Sequence, residues 1–288
     1  MAILVDSNTR VLVQGITGKV GSFQTRIMID YGTNIVAGVT PGKGGTQLNS
    51  VPIYDFIEEA LVDVDVDVAL CFVPARFAKE AAFEAIAGRI PLLVLTTADI
   101  PTHDLLTILD FSALNGTHIL GPDTPGLVSP GKCKVGVHPN RVLKEGSIGV
   151  VSKSGALSYE VCKLLTENYL GQSTVVGIGG GPLWDITQKD ALEMFEADPQ
   201  TKAIVLLGEI GGTMEHEAAA FIKDMTKPVV SLIVGRSAPR GTQMGHAGAI
   251  IEGGGETAES KIEALRRAGS HIAANPTEIL TILKHLGA

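Results

Sequence analysis

The stretch Gly15-Ile16-Thr17-Gly18-Lys19-Val20-Gly21 lies between an apolar, β-branched segment, Arg10–Gln14, and a segment with apolar residues at helical spacing, Ser22–Ile29. A glycine turn that ends a buried strand and opens a helix begins a βαβ unit. Glycine lets the backbone approach a ligand, and the helix N-terminus offers unpaired N–H groups and the positive end of a dipole to an anion such as a pyrophosphate. The spacing GxxGxxG is also that of a plain tight βα turn, so the fold is decided by the segments on its C-terminal side. Strand-like Asn34–Gly38, Asp67–Val73, Pro91–Thr96 and His118–Leu120 alternate with helix-like Tyr54–Leu61, Arg76–Ile86 and His103–Leu114. This order builds a parallel sheet through right-handed crossovers. A turn-rich stretch, Gly121–Gly146, carries Pro122, Pro125, Pro130 and Pro139 and marks a boundary. The alternation then restarts with strands Ser147–Ser152, Thr174–Gly177, Ala203–Gly208 and Pro228–Val234. Helices are expected at Ala156–Leu170, Lys189–Glu196, Glu215–Met225 and Ser260–Ala268. The chain reads as α/β, with two doubly wound units, 1–125 and 147–288, joined by a linker over 126–146.

A length of 288 residues accommodates two such units, each with its own core. The net charge of −8 repels a polyanion, which excludes a sequence-independent nucleic-acid binder and leaves any phosphate site to local geometry. With 34 glycines and 5% aromatics, the chain suits many tight turns and close backbone approaches. No apolar run reaches the ~18 residues of a membrane span. Met1–Val5 meets Asp6 before it could form a signal core, so a soluble, untargeted, cytoplasmic protein is expected. Cys71, Cys133 and Cys162 are odd in number and far apart, which suggests neither a disulfide framework nor a zinc site and fits a reducing compartment. Asp63, Asp65 and Asp67 open like a calcium loop, but Val68 stands where glycine is needed and Pro74 where glutamate is needed. No metal site is expected.

The second strand narrows the ligand of the first turn. A dinucleotide site places an acid at the end of that strand, about 20 residues on, to bind the ribose hydroxyl. Here the strand runs into Gly38-Val39-Thr40-Pro41-Gly42-Lys43-Gly44-Gly45. A glycine-flanked lysine argues against NAD and for a ligand with an additional phosphate near its ribose. The segment is no Walker A loop either, because Ala37 replaces the first glycine and Gly44 comes directly after the lysine.

Two further segments read as phosphate chemistry. Ser152-Lys153-Ser154-Gly155 enters a helix, where small hydroxyls and a glycine bind an anion, although Ser154 is equally suited to capping that helix. Met244-Gly245-His246-Ala247-Gly248-Ala249-Ile250, framed by Gly241 and Gly253-Gly254-Gly255, presents a histidine among glycines and alanines rather than on a packed face. Imidazole is a good nucleophile at phosphorus near neutral pH, so His246 facing a helix N-terminus can form and hold a phosphohistidine. Glu209, in Gly208-Glu209-Ile210-Gly211-Gly212, is placed to fix its tautomer, or is a solvated strand-end carboxylate. His103, His118, His138, His216, His271 and His285 lack such framing and read as surface or structural.

The order of Gly15–Gly21, Pro41–Gly45, Val73-Pro74-Ala75, Ser152–Gly155, Gly177-Ile178-Gly179-Gly180, Gly208–Gly212 and the run around His246 resembles the α subunits of succinyl-CoA synthetases, or succinate–CoA ligases. The resemblance runs from about Ile3 to the C-terminal helix. It implies a Rossmann-like CoA-binding domain followed by a flavodoxin-like doubly wound ligase domain carrying the phosphohistidine. It further implies a hetero-oligomer in which ATP or GTP, with Mg2+, sits on an ATP-grasp β subunit, in keeping with the missing Walker A loop. The implied reaction joins a small carboxylic acid to coenzyme A with release of NDP and phosphate, through a phosphohistidine and an acyl phosphate. Carried over by position, Thr17, Gly18, Lys19 and Val20 line the CoA phosphates, and Lys43 meets the phosphate at the nucleotide end. Val73, Pro74, Thr96, Thr97 and Ala98 lie along the cofactor. His246 is the phosphorylated residue, Ser154 and Gly155 cradle its phosphate, and Glu209 orients it.

The chain departs from the family pattern at Ala98, where glutamate is usual, and at Asp123-Thr124, where Asn-Cys is usual. It departs again at Gly181, in place of aspartate, at Leu183–Gln188, in place of a Gly/Ser-rich stretch, and at Asn140-Arg141, in place of Gly-His. A ligase for another acid such as malate, and a non-catalytic CoA-binding homologue, are the alternatives. The intact His246, Glu209 and Ser154 weigh against the second, since a pure binder needs none of them.

Overall fold

The computed structural model describes residues 3–287, so Met1, Ala2 and Ala288, at the ends of the expected spans, lie outside the described residues. The first sheet arises from β1 (Arg10–Gln14), β2 (Asn34–Val39), β3 (Gln47–Leu48), β4 (Val51–Tyr54), β5 (Val68–Cys71), β6 (Leu92–Leu95) and β7 (His118–Leu120). Its helices are α1 (Lys19–Tyr31), α2 (Ile57–Asp63), α3 (Ala75–Ala87) and α4 (Thr102–Asn115). The second sheet holds β8 (Gly126–Ser129), β9 (Cys133–Gly136), β10 (Glu145–Ser152), β11 (Gln172–Gly177), β12 (Ala203–Gly208), β13 (Val229–Ile233) and β14 (His271–Ile272). Around it pack α5 (Gly155–Glu167), α6 (Gln188–Ala197), α7 (Met214–Ile222), α8 (Ala258–Arg267) and α9 (Pro276–His285).

Strand order is β3-β4-β2-β1-β5-β6-β7 in one sheet and β14-β13-β12-β10-β11-β8-β9 in the other. The central strands pair in parallel, β1 with β2 and β5, β10 with β11 and β12. They are covered on both faces, which is why β5, β6 and β12 read as continuous apolar runs without alternation. In each sheet the chain reverses direction of travel at one strand, β1 in the first and β10 in the second. The carboxyl ends of strands at such a reversal form a crevice. There the structure places Gly15–Gly21 and Ser152–Gly155.

The stretch expected to be a linker, 126–146, instead contributes β8, β9 and the start of β10 to the second sheet. β8 pairs antiparallel with both β11 and β9. The prolines flank these short strands rather than break them, and the close pairing needs glycine: a Cβ on Gly126 would lie 2.0 Å from the Val135 carbonyl oxygen. A four-residue strand bounded by proline carries too little periodicity to be seen. Helix α2 starts at Ile57, not Tyr54, because Tyr54 closes β4. Helix α9 was not anticipated, although Asn275 caps it and Pro276 opens it. Together β9 and α1 join the two halves. Thr33 Oγ1 donates to the Lys134 carbonyl at 2.8 Å, and one apolar cluster runs from Val11, Val13 and Met28 through Leu127 and Val135 to Val151 and Val176.

Candidate active site

At the first crevice the backbone dominates. Gly15 has a φ of +74°, and a Cβ on Gly21 would stand 2.2 Å from the Gly15 carbonyl oxygen, so α1 sits directly on the turn. Gly18 precedes α1 without a side-chain cap, which leaves the first-turn N–H groups to a ligand or to water. A cleft of about 500 Å3 opens beside it, with Gly15, Thr17 and Gly18 on one wall and Val73, Pro74 and Phe77 on another. Glu80 and Glu84 of α3 also line it, and burial pushes the Glu84 carboxyl up from the ordinary range. These two carboxylates were not singled out in the sequence.

The remaining expected cofactor residues are not all gathered there. Lys19 and Val20 head α1, both exposed. Lys43 is exposed in the turn after β2 and does not line the cleft. An acid does stand beside it, but Asp55 Oδ1 accepts the Lys43 and Gly44 amides at 2.9 and 2.8 Å, and these amides, Gly44 first, hold it below the usual carboxylate range. Thr96 and Thr97 donate to the Cys71 and Val73 carbonyls at 2.6 and 2.7 Å, tying the end of β6 to the end of β5. Ala98 is exposed outside the cleft.

At the second crevice side chains and charge take over. His246 Nδ1 lies 2.8 Å from Glu209 Oε2, while Nε2 makes no hydrogen bond among the described residues. The imidazole packs against Gly180, where a Cβ would fall 2.4 Å from its Cγ and 2.9 Å from Asp123 Oδ2. Gly211, with φ +85°, admits the Gly248 carbonyl so closely that a Cβ would lie 2.0 Å from it. The glycines around Glu209 and His246 are therefore what lets the two loops touch. Glu209 is only 6% exposed. Burial pushes its carboxyl up, but the bond to His246 and the charge of Lys153 outweigh that and leave it below the ordinary range. His246 is held above its ordinary value, first by Glu209 and then by Asp123, against the opposing effects of burial and Lys153.

Behind Glu209 lies a buried set of charges that sequence reasoning missed. Lys153, 1% exposed, places Nζ 3.4 Å from Glu209 Oε1, 4.0 Å from Glu215 Oε1 and 4.9 Å from the centre of the Trp184 ring. The Lys153–Glu209 contact is one of charge, because Glu209 Oε1 receives no well-directed hydrogen bond. Glu215, fully buried, accepts from the Glu209 amide at 3.1 Å and from Lys261 Nζ. Lys261 donates to the Glu209 and Gly211 carbonyls as well. Lys153 stood inside a quoted motif. Glu215 and Lys261 sit on helices that gave only a periodicity signal, and nothing local marks them as partners.

Ser154 caps α5, its hydroxyl accepting from the Leu157 amide at 3.3 Å. Gly155, next to it, lines a cavity of about 320 Å3 together with His246, Asp123, Thr124, Val20 and Thr96. This cavity joins the two crevices, since Val20 and Thr96 belong to the first sheet and Gly155 and His246 to the second. Among the other histidines His138 is buried with both ring nitrogens unpaired, which with nearby Lys134 pushes it down to about 3, and His216 contacts the Gly255 carbonyl. Both fit a structural reading.

Residues 6–98 match the CoA binding domain family and residues 151–271 the CoA-ligase family. The chain is 52% identical, over 97% of its own length and 96% of the relative's, to a protein of Archaeoglobus fulgidus named succinate–CoA ligase [ADP-forming] subunit alpha 1. This chain belongs to the α-subunit family of succinate–CoA ligases. A family member from Methanothermobacter thermautotrophicus, named the α subunit of the same ligase, is also 52% identical, over 96% of this chain and 94% of that one. Among solved structures, the ATP citrate lyase of Methanothrix soehngenii in complex with citrate and coenzyme A superposes with a TM-score of 0.88 at 26% identity. The match covers 99% of this chain, which spans about half of the lyase chain (52%). The CoA-binding match takes in both walls of the larger cleft, and the CoA-ligase match takes in Ser154, Gly155, Glu209 and His246. As an α subunit, a family member is one part of an assembly, and no described helix is long and apolar enough to cross a membrane.

Proposed function

We propose that this chain is the α subunit of a cytoplasmic, NTP-dependent acid–CoA ligase that condenses succinate with coenzyme A, and that His246 carries the phosphoryl group between steps. The observation that carries this reading is the His246–Glu209 contact of 2.8 Å at a cavity shared with the first crevice. With Nδ1 held by Glu209, the Nε2 lone pair is the nucleophile. It attacks the terminal phosphorus of the nucleotide, and the bond to the bridging oxygen breaks with its electron pair leaving on the diphosphate. A substrate carboxylate oxygen then attacks that phosphorus, and the N–P pair returns to Nε2. Finally the thiol sulfur attacks the acyl carbon, the C–O bond breaks, and phosphate leaves with the thiol proton. Gly155, at the N-terminus of α5, offers its dipole end to the transferring phosphoryl charge, while Ser154 holds that helix end in shape.

Thr17, Gly18, Lys19 and Val20 bind the cofactor phosphates through backbone N–H groups, and Val73 and Pro74 hold its apolar stretch. Lys43, on an exposed turn, reaches the phosphate at the nucleotide end, with Thr96, Thr97 and Ala98 along the cofactor. The nucleotide, with Mg2+, is held by an ATP-grasp β subunit, and the names of the relatives specify ADP as its product. The chain divides into a CoA-binding unit up to residue 125 and a ligase unit that takes up the strands from Gly126 onward. The test is ligation by the purified chain with and without the β subunit over a panel of carboxylic acids. The chain alone should bind CoA and form no acyl-CoA, and succinate should be the preferred acid once the partner is added. NTP-dependent acyl-CoA formation by the isolated chain, or preference for a different acid, refutes the corresponding part.

A further inference from the structure

We propose that Lys153 is a positioning residue for phosphoryl transfer: its buried ammonium keeps Glu209 ionised and aimed at His246 Nδ1, which leaves Nε2 as the atom that takes the phosphate. This rests on the reading of His246 as the phosphoryl acceptor. Glu209 Oε2 faces the imidazole, whereas Oε1 has no hydrogen-bond donor and only the Lys153 charge at 3.4 Å. Without that charge, a carboxylate 6% exposed would retain its proton to a higher pH and cease to accept from Nδ1–H. The tautomer would then be free, and the imidazole would be nucleophilic at either nitrogen.

The surroundings suit this role better than a purely structural one. The four buried groups Lys153, Glu209, Glu215 and Lys261 balance to zero, and each lysine has a carboxylate within reach. Lys261 already satisfies Glu215 and the carbonyls of Glu209 and Gly211, so the loop that bears Glu209 is anchored without Lys153. What Lys153 adds is charge. Trp184 holds that charge in place: its ring lies under Nζ, its Nε1 donates to the Gly179 carbonyl at 3.2 Å, and a Cβ on Gly248, in the histidine loop, would touch its edge at 3.1 Å. Leu183–Gln188, the stretch containing this indole, is one of the segments that departs from the family pattern. The charged groups facing His246 are Glu209 after β12, Asp123 after β7 and Lys153 after β10. Removing the one cation from this set tightens proton binding by the remainder.

The experiment phosphorylates the full chain with phosphoramidate between pH 5 and 9 and reads the rate by intact mass. In the wild type the rate should fall on the acid side as the pair takes up a proton. Lys153→Met should shift that acid limb upward by about one pH unit, the size expected for one charge a few ångströms away. Lys153→Arg should restore it, and in both variants the emission of Trp184, the single tryptophan, should report the change at its ring face. Should Lys153→Met fail to fold, Lys153→Gln keeps the length and a donor without the charge and should show the same shift. An unshifted limb in a folded, uncharged variant overturns the proposal, as does a Lys153→Arg chain that behaves like Lys153→Met. If the wild type takes no phosphate, or His246→Asn takes as much, the underlying reading of His246 fails instead.

Discussion

In Gly15–Gly21 Ile16 is buried in the core and the other side chains are small or exposed; the cleft is lined by backbone, an apolar wall and the open end of α1, with Glu80 and Glu84 of α3 also facing it. Around His246 stand the carboxylates of Glu209 and Asp123, and Lys153, Glu215 and Lys261 behind Glu209 are buried to 1% exposure or less. On the proposed reading the first crevice receives a phosphate already attached to a large ligand, for which fixed N–H groups and a shaped groove suffice. On the same reading the second makes and breaks a bond to phosphorus, which calls for a group whose protonation and direction are set by neighbours in a low-dielectric place. The same α/β switch point serves both purposes. The difference lies in the loops that leave the strand ends: glycine backbone in one crevice, buried charge in the other.

That contrast breaks most visibly in the glycines and the acid. Gly21→Val should abolish CoA binding in calorimetry, since the new side chain meets the Gly15 carbonyl, and it should leave phosphorylation of His246 within about twofold. Glu209→Gln should do the reverse, lowering the rate of His246 phosphorylation about 100-fold or more with CoA affinity unchanged. If both variants damage both functions equally, the two crevices are not separable. Lys43→Ala is the next largest effect: loss of one charge-assisted contact should weaken CoA about 10- to 100-fold. NAD binding the wild type more tightly than CoA would overturn the ligand assigned to this crevice.

A smaller effect sharpens the electrostatic half. Glu209 is held below its ordinary 4.5, so its contribution to stability is present above that value and lost as pH falls through the lowered one. His246 is held above 6.5, so its contribution is full below that value and lost as pH rises through the raised one. The two overlap between pH 4.5 and 6.5. The loss of stability in His246→Asn should be greatest there, under about 1 kcal/mol for an imidazole still partly exposed, and should shrink by about pH 9. Thermal melts of the two chains across pH check this, and a loss that grows with pH contradicts it.

The halves of the molecule also differ in how readable they were. Strands β1, β7 and β12 were expected at the residues where they occur, because buried parallel strands are contiguous apolar runs. β8 and β9 were hidden, since two four-residue strands among prolines and glycines have no period to detect. At the site, His246 and Glu209 were legible from their glycine frames, and the structure brings them together. Gly155 lines the shared cavity with His246, whereas Lys19, Lys43, Thr97 and Ala98, expected along the cofactor, line neither that cavity nor the larger cleft. Lys153, Glu215 and Lys261 meet only through tertiary packing of β10, α7 and α8, a relation that local sequence does not carry.

The central claim is that the phosphoryl group rests on His246, and the most direct measurement is where it goes. The chain, assembled with a β subunit, is incubated with γ-labelled ATP without CoA or acid, then digested and mapped. The account predicts one acid-labile, base-stable phosphate per chain on the peptide bearing His246, bonded to Nε2, and none in His246→Asn. Label that persists in His246→Asn, or that maps to a carboxylate or hydroxyl elsewhere in the chain, would contradict it.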